Sequence, residues 1–252
     1  VLHSVSLINE SSVVEDVEVA EIAKALQAQV NTDFGPIWGT NAQIKAVPSK
    51  TKPPAGTWWL VLLDDMDQAG ALGYHDLTPE LLPIGKVGAK TDLEYGAKVS
   101  VTCSHELLEM LGDPLINLLV EDPRHQRVYA FENCDAVEAD ELGYVKLGQT
   151  VSDFVLPAYF NVDEAGKGHA LSFRGNVTEP FELAKGGYLS YRPVGGAEWK
   201  QITDAGEIDP DTAAPERQRA ERFPGFPEGS RRERRLRKSA GEPMQVSTAH
   251  TA

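Results

Sequence analysis

The chain has 252 residues, 41% of them hydrophobic, with no signal-like start and no apolar run approaching the roughly 20 residues that a bilayer-spanning helix needs. It therefore reads as a soluble chain built around one core-forming body. The net charge of -14 is unevenly spread: residues 1–204 hold 15 bases against 30 acids, and residues 205–252 hold nine against eight. An acidic body of this kind repels phosphate, which excludes unaided nucleic-acid binding and favours cations or basic partners.

In chain order, residues 1–8 carry β-branched side chains in weak alternation and predict a first strand. Val14, Val17, Val19, Ile22, Ala23, Leu26 and Val30 then recur at helical spacing behind a cluster of acids, the arrangement of a long amphipathic helix with its dipole satisfied. Residues 31–39, with Phe34, Pro36 and Trp38, are expected to end that helix. A short strand is predicted over 43–47, a Pro/Lys-rich loop over 48–56, and a strand buried on both faces over the continuous apolar run 58–63. Asp64, Asp65, Met66 and Asp67 follow, a solvated turn by preference and a cation site in the alternative. Residues 69–75 suggest a short strand at a sheet edge, and 79–92 reads as loop.

Residues 97–102 alternate as a strand, after which Ser104 is placed to cap a helix opening at His105. Gly112 closes this helix and Pro114 stops it. Within it, His105-Glu106-Leu107-Leu108-Glu109 puts an imidazole and a carboxylate one turn apart on one face, where both can reach a single ion. Glu106 stands one step round the helix. Downstream, residues 127–131 alternate as a strand leading into Glu132, Asn133, Cys134 and Asp135. The aromatic stretch 151–160 is expected to pack beneath this region, and 181–193 reads as a closing hairpin, with 199–202 ending the body.

The motif is similar to the zinc-binding H-E-x-x-H helix with glutamate in place of the second histidine. Together with the order strand, long helix, three or four strands, motif helix, it resembles the N-terminal lobe of the zincin metallopeptidases over roughly residues 1–140. The implied fold is α+β: a mixed twisted sheet, one long N-terminal helix and a metal-motif helix, in a domain spanning 1–204 followed by a largely irregular tail over 205–252. The implied chemistry is metal-dependent hydrolysis of a peptide or protein, with His105 and Glu109 as ligands and Glu106 as general base. A third ligand is needed. Glu132 resembles the downstream glutamate of the gluzincin arrangement, with Asp135 orienting a ligand, although Asp135 follows it by three residues where that family usually uses four. Gly112 falls where the metzincin pattern has its turn glycine, but that pattern's third ligand would fall on Leu115, which cannot ligate. Asp113 is assigned first to the helix end and second to the metal. The pattern Ser104, His105, Glu106, Glu109, Asp113, Pro114, Glu132, Asp135 also resembles that of certain bacterial and phage proteins.

Zinc is the first choice of ion, and two carboxylates widen the choice toward manganese or calcium. Tyr159, His75 and Tyr188 are candidates, by residue type alone, for a group that helps a developing oxyanion. The only cysteines, Cys103 and Cys134, are expected as buried thiols, with a bracing disulfide or a soft ligand at Cys134 as alternatives. Residues 231–238 hold six bases and one acid, so the tail could dock on an acidic partner, nucleic acid or a neighbouring copy. The alternative function is therefore a non-catalytic component of a large assembly, for example a virion, with the tail as its arm.

Overall fold

The computed structural model describes residues 2–66 and 72–207; Asp67, the first residues of the strand predicted over 69–75, and the predicted tail from residue 208 on, with its basic run 231–238, lie outside them, while the tail's first residues 205–207 are described and lead into a strand. The fold is a mixed α/β arrangement with two five-stranded sheets. The first comprises β1 (Leu2–Asn9), β2 (Asn41–Val47), β3 (Trp58–Leu63), β4 (Gly73–Leu77) and β5 (Pro83–Gly88), in the order β2-β1-β3-β5-β4. All neighbours are parallel except β4, which runs antiparallel to β5 along the edge. The second sheet is antiparallel, in the order β12-β11-β10-β7-β6, from β6 (Leu119–Asp122), β7 (Arg127–Ala130), β10 (Tyr188–Pro193), β11 (Lys200–Thr203) and β12 (Gly206–Glu207). A hairpin of β8 (Tyr144–Lys146) and β9 (Gln149–Val151) completes the strands among the described residues.

Helix α1 (Asp16–Gln29) buries Val19, Ile22, Ala23, Ala25 and Leu26. Helix α1 itself ends at Gln29, but the stretch 31–39, expected to turn the chain, is still helical up to Trp38. The chain passes through a π-helical turn, Val30–Phe34, into α2 (Gly35–Trp38), and stops at Gly39, whose φ of 68° is the left-handed conformation that closes helices. The wider turn lets the helical path continue past Pro36, which has no amide hydrogen to donate.

Two further expectations are corrected. Residues 79–92 are not a loop but contain β5 and the short helix α3 (Ala89–Glu94). Pro83 is tolerated as the first residue of β5, and Gly85 is admitted because it lies under α4 (Val99–Gly112): a Cβ there would meet Leu60 Cδ1 at 2.7 Å and Met110 Sδ at 2.9 Å. Strand β3 is buried on one face only, with Leu60 and Leu62 inaccessible and Trp59 38% exposed. The principal core forms between this sheet, α1 and α4, with Val151 and Phe154 closing it from beyond the helices. A second core gathers Tyr129, Val137, Tyr159, Leu171 and Leu189.

Candidate metal centre

The predicted strand over 97–102 is helix. Helix α4 starts at Val99, and all of its residues from Val99 to Leu111 are buried. The β-branched alternation misleads because a helix enclosed on all sides has no polar face to reveal its period. Ser104 consequently caps nothing. Its hydroxyl donates to Gln29 Oε1 at 2.7 Å and accepts from the Ser152 amide at 3.0 Å, while Gln29 Nε2 donates to the Ser152 carbonyl at 2.9 Å. These bonds join α1, α4 and the segment after β9.

The helix ends as its sequence indicates. Asp113 turns its carboxylate onto the amides of Asn117 (3.1 Å) and Leu118 (3.0 Å), a position at the helix end. Asn133 then ties the downstream segment to the helix by donating to the Leu108 carbonyl at 3.1 Å, beside Gly112, where any Cβ would lie 2.3 Å from Asn133 Nδ2. The Val155 amide holds the Asn133 carbonyl at 2.8 Å from the other side. Pinned in this way, the segment delivers Glu132 and Asp135 to α4.

Six side chains meet there: His75 from β4, His105, Glu106 and Glu109 from α4, and Glu132 and Asp135 from the segment after β7. Each is between 1% and 6% exposed. His105 Nε2 lies 3.3 Å from Glu109 Oε1 and 3.3 Å from Asp135 Oδ1. His75 Nδ1 lies 3.1 Å from Glu109 Oε2 and 3.3 Å from Glu106 Oε2, and its Nε2 is 3.9 Å from Glu132 Oε2. Two buried groups, His105/Glu109/Asp135 and His75/Glu109/Glu132, each present ligand atoms close enough to share one ion. The expected partner of His105, Glu132, instead stands with His75, and Asp135 takes the place beside His105. Asp113 joins neither group.

Close approach of β4 makes this possible. A Cβ on Gly73 would lie 2.7 Å from Glu106 Oε1 and 2.7 Å from Thr102 Cγ2, so only glycine lets the strand come down onto the helix. His75, two residues on, then points the same way as Gly73. Nothing near position 75 in the sequence marks it as a ligand; its signal is the alternation that places it, with Gly73, on the buried face.

Electrostatics favour a cation. Burial raises the pKa of Glu109 to about 8, with Asp135 and Glu132 adding to the rise and His105 opposing it. The pKa of His105 is raised well above its usual range because the surrounding carboxylates, Glu109 foremost, outweigh its burial. Glu109 Oε1 is buried with no hydrogen-bond partner, its approach to His105 lacking hydrogen-bond geometry. A fully desolvated carboxylate oxygen of this kind fits a metal ligand.

The cysteines are both free and buried, and neither belongs to the two groups. Burial raises both thiols well above their usual range, which keeps them protonated and inert. Of the oxyanion candidates, Tyr159 donates its hydroxyl to the Glu182 carbonyl at 2.9 Å, and His75 stands within the acid cluster. No helix among the described residues is long and apolar enough to cross a membrane. No family model matches the sequence, and comparison with curated proteins and with solved structures finds no significant similarity.

Proposed function

We propose that this chain is a metal-dependent hydrolase, acting on peptide bonds, with zinc as the first ion to test. The observation that carries the reading is the convergence of His105, Glu109 and Asp135 beside Glu106, all buried, from a helix and the segment that follows it. One imidazole and two carboxylates meet the three-ligand requirement of a catalytic site, and the two oxygen donors also suit manganese. A divalent ion bound there would acidify water and polarise a carbonyl.

The chain's own groups supply the rest. Glu106 is not one of the three and lies against His75 Nδ1 at 3.3 Å, so an imidazole N–H can hold its carboxylate in one orientation while it takes a proton and later returns it to a leaving amine. His75 can then keep its other nitrogen toward Glu132. The fixed carboxylate spares Glu106 reorganisation during proton transfer.

The test is metal analysis of purified protein with casein or peptide-library cleavage by wild type and Glu106→Gln. Retained metal with cleavage lowered by roughly 10²–10⁴-fold supports the hydrolase; absence of metal overturns it.

The near-complete burial of all six side chains favours a second reading, a closed structural centre in a non-catalytic component of a larger assembly. In it the basic run 231–238 would dock on the acidic body of a neighbouring copy. Stoichiometric metal whose removal unfolds the protein, with no cleavage dependent on Glu106, would support this reading over the first.

A further inference from the structure

We propose that the centre holds two divalent cations bridged by Glu109, an inference that rests on the metal-dependent reading above. The two buried groups meet only at this residue. Its oxygens are divided between them, Oε2 facing His75 Nδ1 at 3.1 Å and Oε1 facing His105 Nε2 at 3.3 Å. A carboxylate whose two oxygens face different imidazoles has the orientation of a bridging ligand.

Each side has its own complement. His75 is matched by Glu132, and His105 is matched by Asp135. Charge counting agrees with two ions. Glu106, Glu109, Glu132 and Asp135 together carry four negative charges when ionised, and the two imidazoles of the cluster carry at most two positive ones. Two divalent cations match the four carboxylates with both imidazoles neutral, the form in which imidazole ligates. One cation would leave two of the four carboxylates to be neutralised by protons or by a protonated imidazole.

Glu109 Oε1, buried without a hydrogen-bond partner, is an observation independent of the acid count. His75 fits the ligand role as well as it fits the orienting one. In the two-cation centre it would bind through Nδ1, which faces Glu109, and donate through Nε2 toward Glu132, which is how ligating imidazoles are usually held, so that its N–H no longer holds Glu106 as it does in the one-ion reading. A site of this type acts on substrates with two oxygens to bind at the reacting centre, as a hydrated amide or a phosphoryl group has.

The experiment is titration of chelator-stripped full-length protein with Mn²⁺, read by elemental analysis after desalting and by electron paramagnetic resonance. Wild type should retain two equivalents and give the exchange-coupled signal of an ion pair. His75→Ala should retain one and give the six-line signal of an isolated ion, with folding checked by circular dichroism. One equivalent in wild type, or two retained by His75→Ala, overturns the two-cation centre and leaves the hydrolase reading standing. No retained ion in wild type overturns both.

Discussion

Replacing Glu109 by Gln in the metal-free protein should make it more stable at alkaline pH. The side chain keeps its shape and loses only its ionisation. A carboxyl whose pKa rises from 4.5 to about 8 on folding binds its proton more tightly in the folded state. The stability it supports is present in full below the unfolded pKa and is lost as pH rises through about 8. Across that interval the loss amounts to roughly 5 kcal/mol at most. Because Asp135, Glu132 and His105 share the same proton inventory, the measured gain for Gln should fall at roughly 2–5 kcal/mol at pH 8 and near zero at pH 4. Urea unfolding in excess chelator, at intervals from pH 4 to 9, reads this directly. With a saturating cation the order should invert, because the wild type alone gains the binding energy. A variant less stable than wild type in chelator at every pH would refute the reasoning, since it would show Glu109 satisfied by protein groups alone.

Cation binding should release protons from His105 and Glu109, both of which hold them more tightly than usual. Calorimetry at pH 7 in buffers of different ionisation enthalpy should show at least one proton per protein, with affinity climbing toward pH 8. Gly73→Ala places a Cβ 2.7 Å from both Glu106 Oε1 and Thr102 Cγ2, and should cost about 1–3 kcal/mol in thermal or chemical unfolding while abolishing Glu106-dependent cleavage. Asp64 accepts hydrogen bonds from the Ser12 amide and the hydroxyls of Ser11 and Ser12, which depress its pKa to about 2. Its contribution is present above pH 3.8 and lost as pH falls through about 2, so Asp64→Asn should flatten the acid limb of the stability profile between those values.

Much of the site was legible because its core is local. The spacing of His105, Glu106 and Glu109 is a property of one helix, and the Gly-Asp-Pro stop marks where it ends. The first half of α4 was not legible, because Ser100, Thr102 and Ser104 among apolar neighbours mimic a strand when every side of the helix is covered. The exchange between Glu132 and Asp135 depends on the hydrogen bonds that pin Asn133, and three-residue spacing alone cannot supply that. His75 comes from thirty residues upstream, on a strand whose approach to α4 is set by Gly73. Strand β5 looked like loop because Pro and Gly are usually turn residues; here Pro83 only opens the strand and Gly85 serves a packing need. The order strand, long helix, strands, motif helix was readable, since each of those elements carries its own period. In the second sheet β7 was readable from its alternation over 127–131, but the hairpin expected over 181–193 is the single strand β10, which pairs with β11 and, across a long stretch of sequence, with β7.

The buried bonds among Gln29, Ser104 and Ser152 bear on a different question, that of how α4 knows which way to face. A helix covered on all sides can spin on its axis with little change in solvent exposure, so burial sets its depth but not its azimuth. Ser104 supplies the missing key. Turning the helix by one residue, about 100°, would carry its hydroxyl away from both partners and strand three polar groups in the dry interior. The same rotation would sweep His105 and Glu109 away from β4. An apolar replacement at 104 could therefore leave a folded, well-packed protein whose ligands aim at nothing.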